Sequence, residues 1–496
     1  MLMSHSNLKK QTKTGIYWTF FNQFSNYGMQ FVIGIVMARL LSPQDYGITA
    51  LPAVFISLAT VFVDSGFGNA LIRKPTITEK DLATAFYYSF IIGCVCYAIL
   101  FTLSPYIANF YNTPILKDLM RVTAITFLWS PLGTPQRIIL NRNLDFKTPT
   151  KISIVTRLGA GVIGVTFAYC GYGLWALVIS SLFSSIASVV LNWIVVRWIP
   201  RAGWSKDSFR YLWGYGNKLL ASSLLDTAYK NVTPVIIGKC YTPAELGVYN
   251  RALGYANLPS QNVTQTVRSV TFPVLSKMQD NDEMLAHSYR RMLRTLCFIV
   301  FPMMMILAGL ARPLVLVMLT SKWEPCIIYL QILCFSQMWY PVDAINLNLL
   351  QVKGRSDLFL RLEIIKKIIG FIIMAVSLTM GILAFCYGCI VYSLFEIMID
   401  THYTGKMINV GLFRQFRDIL PTILLSFFVF GSLLGIVNVI TNLYYQIILG
   451  FIVALAIYLG CAFFFKFQIF SERERKHWNR NITPCQICGN LTRHKL

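Results

Sequence analysis

The 496-residue chain is 55% hydrophobic and only 13% charged, with a mean hydropathy of +0.57. A soluble chain of this length carries roughly twice that charged fraction and splits into domains with polar surfaces, so that class is excluded. The net charge of +23 falls in short segments between apolar runs, which fits basic loops on one face of a membrane rather than a nucleic-acid partner.

Residues 1–14 are polar, with Lys9, Lys10 and Lys13, and read as a cytoplasmic N-terminus. No cleavable signal is expected, because the following apolar stretch is too long and lacks a small-residue cleavage site. Apolar segments predict membrane helices over about 15–38, 46–71, 82–108, 117–140, 151–170 and 173–197, each near the ~20 residues that cross the hydrocarbon. The fourth contains Pro131 and Pro135, which a buried helix tolerates where neighbours satisfy the freed backbone. In Asp64-Ser-Gly-Phe-Gly68 two glycines allow close helix approach.

A basic linker at 199–211 follows, and the pattern restarts. Six more helices are expected at about 212–238, 246–275, 292–320, 326–350, 360–384 and 386–405, then two at about 418–440 and 444–467, and a tail at 468–496. The whole reads as an all-α polytopic membrane protein with about fourteen spans. Two six-helix lobes, 15–198 and 212–405, are followed by two C-terminal helices in 406–467.

A repeated turn marks the duplication. Arg39-Leu-Leu-Ser-Pro-Gln-Asp-Tyr-Gly47 returns as Lys239-Cys-Tyr-Thr-Pro-Ala-Glu-Leu-Gly247, in each case between two apolar segments. A hydroxyl, Pro and acid in this order start a helix: the hydroxyl caps, Pro fits the first turn, and the carboxylate meets the positive helix end. Basic clusters recur in alternate connections, among them Arg73, Lys74 and Lys80, then Arg142, Lys147 and Lys151. Arg197, Arg201 and Arg210 continue the series, and Lys277, Arg290, Arg291, Arg294, Arg414 and Arg417 extend it through the second half. By the positive-inside rule both termini are cytoplasmic, and an even helix count per lobe makes the repeat parallel.

Polar residues at membrane depth give the candidate site. Asn22, Asn26 and Gln30 stand four apart in the first helix; Lys218, Ser222, Asp226 and Lys230 do so in the seventh. Residues four apart share a face, so each lobe offers one polar row, and two such rows meeting would line a wet cavity. Asp64, Arg251 and Arg268 join this set. The plainer alternative is that Asp226 and Lys230 simply neutralise one another. Arg157, Glu396 and Asp400 are read as interfacial side chains reaching to water, and Asp343 as a further charge at depth. Cationic groups in such a cavity suit a pyrophosphate or acidic sugar, while Asp64 or Asp226 could carry a coupling H⁺ or Na⁺.

No catalytic residues are assigned. The chain has no Walker loop, dinucleotide fingerprint or His-Glu-x-x-His motif, and every predicted external connection is too short for a catalytic domain. Most of the twelve cysteines lie in apolar runs as small hydrophobes. Cys485 and Cys488 have metal-ligand spacing but no second pair, so they read as ordinary tail residues and no metal or cofactor is expected.

Several stretches carry a family likeness: Ala38 to Gly47, Asp64 to Arg73, Arg142-Asn-Leu-Asp-Phe146, Gly171-Tyr-Gly-Leu-Trp-Ala176 and Gly247-Val-Tyr-Asn-Arg-Ala252. Through them the chain, over about residues 10–470, resembles the polysaccharide-transport (Wzx-type) branch of the multidrug/oligosaccharidyl-lipid/polysaccharide (MOP) flippase superfamily. Within that branch the likeness is to the colanic-acid-exporter-like group. The resemblance implies two facing six-helix lobes. It also implies export of a polyprenyl-pyrophosphate-linked oligosaccharide (an O-antigen, capsule or exopolysaccharide unit) across the bacterial inner membrane, alongside glycosyltransferases and a polymerase. Lys218, Lys230 and Arg268 suit the cationic cavity residues of some relatives by position and chemistry. Two rival readings stay open: a cation-coupled drug exporter of the same superfamily, which would prefer an acidic cavity, and a membrane-embedded polymerase or ligase.

Overall fold

The computed structural model describes residues 5–464, and the Cys485/Cys488 pair lies outside them. The described residues form helices and connections without a strand. In order they are α1 (His5–Leu40), α2 (Pro43–Asp64), α3 (Phe67–Arg73), α4 (Glu79–Phe110), α5 (Leu116–Ala124), α6 (Thr126–Trp129), α7 (Thr134–Arg142), α8 (Lys147–Tyr169), α9 (Trp175–Val196) and α10 (Lys206–Cys240). There follow α11 (Pro243–Ser276), α12 (Asp282–Gly309), α13 (Ala311–Met318), α14 (Cys326–Gln337), α15 (Tyr340–Val352), α16 (Ser356–Thr379), α17 (Ile382–Ile408), α18 (Leu412–Val439) and α19 (Leu443–Phe464). Eight segments among these residues are long and apolar enough to cross a membrane, which makes the chain a multi-pass membrane protein.

Several predicted spans are broken rather than continuous. The second divides into α2 and α3 at Ser65 and Gly66, both in the left-handed region with φ of 41° and 71°. A Cβ on Gly66 would sit 3.0 Å from that of Leu219, and one on Gly216 would sit 2.6 Å from the Ser65 carbonyl oxygen. The break thus lets α10 lie against the bend. The fourth span is interrupted at Pro131 by a 3₁₀ turn, Ser130–Gly133. There the Trp193 indole donates to the Leu132 carbonyl at 2.8 Å, supplying a bond that the interrupted ladder lacks.

Packing divides the chain into two units. The first runs to Arg251 and includes Met318–Cys326; the second holds Ala252–Val317 and resumes at Ile327. In the first, α1 lies on the α8–α9 hairpin and α2 packs with α4 and α5. The sequence puts the seventh helix at the head of the second lobe, yet this helix, α10, packs on α2, α3 and α4. Phe67, Leu71, Leu82, Ile138 and Leu212 form one core there. In the second unit α12 packs on α18 and α15, α16 on α17, and α18 on α19, with Leu310, Val429 and Leu433 at one centre.

Both copies of the repeated turn lie in the first unit and fold alike. Ser42 caps α2 through a reciprocal box with Asp45: the Asp45 amide donates to the Ser42 hydroxyl (3.2 Å) and the Ser42 amide to the Asp45 carboxylate (2.9 Å). Thr242 and Glu245 repeat it at the head of α11, at 3.3 and 2.9 Å. Each cap contributes about 1 kcal/mol. The preceding base caps a distant helix end: Arg39 donates to the Met318 carbonyl (2.8 Å) and Lys239 to that of Phe110 (2.5 Å). The copies also pack on each other reciprocally. A Cβ on Gly47 would lie inside the Pro243 carbonyl, and one on Gly247 inside that of Pro43. Arg251, one turn further on, donates to the Gly34 carbonyl and lies 5.0 Å over the Tyr46 ring.

Two outcomes check this packing by thermal unfolding in detergent. Gly47→Ala should lose about 2–3 kcal/mol, because the methyl must displace backbone, whereas Gly28→Ala, with open space around it, should gain about 0.5–1 kcal/mol from helix propensity. Arg251→Ala should lower stability by about 2 kcal/mol through its charge-assisted bond, and Arg251→Lys, which cannot keep the guanidinium geometry, should recover only part of it.

Candidate functional site

On α1 the predicted row is present. The Asn26 amide donates to Asn22 at 2.5 Å and its oxygen accepts from Ser153 of α8 at 2.9 Å, while Gln30 is exposed one turn further on. The lower part of the row is thus fastened to a neighbour, and its upper part is open. On α10 Lys218 and Ser222 are both exposed. Lys230 and Asp226 form the i,i+4 pair at 2.6 Å, but their side chains are 70% and 47% exposed, so the pair neutralises itself without being buried. The four residues make one open polar row on a helix that also exposes Trp213 and Leu225.

The remaining candidates serve other contacts. Asp64 is exposed at the end of α2, beside the bend and within electrostatic reach of Arg137. Arg251 anchors the start of α11 to α1 and is half-buried. In the second unit Arg268 donates to Gln351 of α15 at 2.9 Å. The first unit therefore holds every predicted site residue except Arg268.

A second constellation, which sequence reasoning treats only as loop charge, lies wholly in the second unit. Arg290 and Arg294 of α12 and Arg414 and Arg417 of α18 line one pocket of about 1120 Å³ together with His287, Glu283 and Asp418. Asp418 is 4% exposed, bound through both carboxylate oxygens by Arg290 at 2.6 and 2.7 Å, and by Arg294 at 2.6 Å. Four arginines against Asp418 and Glu283 leave a formal excess of +2 (four minus two). Leu420, Pro421, Leu424 and Phe428 form the apolar side. A phosphate carried on an apolar chain finds both chemistries there. The spacing of Arg290 to Arg294 and of Arg414 to Arg417 signals one helix face each, but the sequence does not say that the two faces meet.

Deeper in the same unit is a buried ion cluster. The Lys366 ammonium of α16, 3% exposed, donates to Asp343 of α15 (2.8 Å) and Asp400 of α17 (3.2 Å), and lies 3.1 Å from Glu363. Asp400 is fully buried against the shared Lys366 ammonium, which corrects the expectation that it reaches to interfacial water. Glu396, one turn earlier and in the field of the same lysine, is half-buried. A neutral polar core adjoins the cluster: Asn346 accepts from Tyr289 (2.8 Å), Thr404 (2.7 Å) and Gln415 (3.0 Å), joining α15 to α12, α17 and α18. Lys366, Glu363 and Asn346 were not singled out by sequence, because only the fold shows which helices share them. Among the described residues no group of His, Cys, Asp or Glu is arranged to hold a metal ion.

Comparisons with known proteins agree with this architecture. The chain is 24% identical to the teichuronic acid biosynthesis protein TuaB of Bacillus subtilis over 424 residues, 85% of this chain and 88% of that one. It is likewise 24% identical to the lipopolysaccharide biosynthesis protein WzxC of Escherichia coli, with 85% and 88% covered. Against the succinoglycan biosynthesis transport protein ExoT of Rhizobium meliloti identity is 23%, with 64% of each covered. In fold it resembles lipid II flippase MurJ in an inward closed conformation, with a TM-score of 0.73 at 16% identity over 92% of this chain and 100% of that one. An inward-facing MATE multidrug transporter of the MOP superfamily follows at 0.56 and 13%, over 77% and 96%. A family model described as "Polysaccharide biosynthesis protein" matches residues 36–328, more than half of the chain, and the chain belongs to that family.

Proposed function

We propose that this chain is a flippase that carries a polyprenyl-pyrophosphate-linked oligosaccharide across the bacterial inner membrane, delivering it to the outer leaflet for polymerisation. The observation that carries the reading is the open row Lys218, Ser222, Asp226 and Lys230 on α10, inside a chain whose neighbouring helices are apolar. Polar and basic groups left uncovered at membrane depth are costly unless they line a wet path, and a path with an excess of base suits an anionic head group. Gln30 on α1 adds a second exposed polar group in the same unit, and in the second unit the arginine pocket has by itself the chemistry for a phosphate carried on an apolar chain. The names of relatives from polysaccharide pathways and the fold of a lipid II flippase support this choice.

The finer topology belongs to the same proposal. It has about fourteen spans, lobes at 15–198 and 212–405 related as a parallel repeat, and both termini in the cytoplasm. Transport proceeds by alternating access, the path opening first to one side and then to the other, so that the sugar never crosses bare hydrocarbon. The chain performs no covalent step; glycosyltransferases supply its cargo and a polymerase consumes it.

A deletion strain tests the reading directly. Lipid-linked oligosaccharide should accumulate on the cytoplasmic leaflet, with surface polysaccharide lost and both defects reversed by the intact gene. Accumulation on the outer leaflet would point to a polymerase or ligase, and normal intermediates with heightened sensitivity to cationic drugs to an exporter. Lys218→Ala and Lys230→Ala should each lower surface polysaccharide by about tenfold at unchanged protein level, since each removes a charge-assisted contact worth ~1.5 kcal/mol or more.

A further inference from the structure

We infer that the Lys366 cluster is a proton-carrying site, with Asp400 as the group that holds the proton. Lys366 and Asp400 are 3% and 0% exposed at the side chain, so water screens neither, and the ammonium is shared among Asp343, Asp400 and Glu363 at 2.8, 3.2 and 3.1 Å. One ammonium neutralises one carboxylate. Lys366 and Asp343, the shorter contact, already form a balanced pair, which leaves the buried Asp400 charge without a counter-charge of its own. Glu363 is 27% exposed and water screens it, but Asp343 and Asp400 share the same ammonium with little or no water, so both cannot stay ionised cheaply, and a proton on one of them removes the conflict.

The oxygens of Asp400 distinguish the place. Oδ2 accepts from Lys366, whereas Oδ1 is buried and has no hydrogen-bond partner among the described residues. A buried carboxylate oxygen without a donor is unfavourable, while a protonated carboxyl that keeps Oδ2 toward the ammonium fits the site. Among the described residues no second cation forms an ion pair with Asp400. From α12 the facing group is the Tyr289 hydroxyl, which bonds to Asn346; on α15 Tyr340 lies near Asp343, with Arg268 acting on that hydroxyl from α11. From α17 Glu396 is a further carboxyl group in the field of Lys366.

A proton rather than a metal ion suits this geometry. Lys366 already occupies the point where the carboxylates converge, so a second cation would face a like charge, and these side chains are not arranged to hold a metal. Access is graded: Asp343 and Glu363 are 15% and 27% exposed while Asp400 is closed off. A proton taken from water at Asp343 passes to Asp400, after which Asp343 is again ionised beside Lys366. The loaded site is a neutral acid next to the Lys366–Asp343 pair, with Glu363 at its water-exposed side. Release restores the uncompensated charge and so favours a rearrangement of α15, α16 and α17 that wets Asp400. That coupling to transport rests on the flippase reading; the proton's place does not.

The test is infrared spectroscopy of the purified full-length protein in lipid nanodiscs, isotope-labelled at the aspartate carboxyl carbons and titrated through neutral pH. The wild type should show a protonated aspartate band at neutral pH that vanishes in Asp400→Asn and persists in Asp357→Asn at the exposed start of α16. A wild type without such a band, a measurement that needs no variant to fold, would overturn the site, as would a band unchanged in Asp400→Asn. In cells Asp400→Asn should lower export about tenfold at unchanged protein level if the proton is coupled to the cycle. Full export with the band lost would remove the coupling but keep the site. A deletion strain with normal lipid intermediates would instead remove the flippase reading while leaving the infrared result to stand.

Discussion

Two glycines fix how closely the repeated turns approach. Gly47 and Gly247 each place a bare Cα where a neighbouring proline carbonyl, that of Pro243 or Pro43, leaves no room for a side chain. Much of the first unit is arranged about this contact. It sets the starts of α2 and α11 side by side, and the bases before each turn then reach the ends of α13 and α4. Trp323 closes the same region, donating to the Ala38 carbonyl and meeting Tyr46 edge-on. Capping alone would stabilise two separate helix ends; the reciprocal glycine contact makes them one structural element.

A membrane chain must also account for each charge that it takes out of water, and the two units do this differently. In the second unit the charges are gathered on one another: Asp418 between two arginines, and one ammonium, Lys366, among several carboxylates. In the first unit Arg251 is held by a carbonyl and an aromatic face, yet the row on α10 is left open. Exposed pairs such as Asp226–Lys230 contribute little to stability. Packing therefore gives no reason for the row; the proposed flippase function does.

What the sequence made legible was local. Helix starts followed from hydroxyl, proline and acid within four positions, and the disturbed fourth span from Pro131, although the indole of Trp193 that relieves it lay far along the chain. The two polar rows followed from spacing by four, which is a property of one helix. The break at Ser65 was half legible: its glycines suggested close approach, but only the fold supplied Gly216 and Leu219 as what approaches. The ion cluster and the arginine pocket were not legible, because Lys366 is 23 and 34 positions from Asp343 and Asp400, and Asp418 is 128 and 124 from Arg290 and Arg294. Asp400 looked interfacial for the same reason, since its partner is on another helix.

That difference bears on which charges can change state during a transport cycle. An exposed row on α10 meets water in any conformation that opens it, so its electrostatic environment alters little, and it is suited to holding a hydrated head group. Asp400 is the opposite case: closed off, one oxygen bonded and the other bare. Its preferred charge depends on whether α15 and α17 stay packed around Lys366. A group whose ionisation and surroundings exclude one another can exchange a proton for a movement, and a solvated row cannot. In the proposed reading, binding and energy input therefore fall to different parts of the molecule, the first to open residues and the second to buried ones.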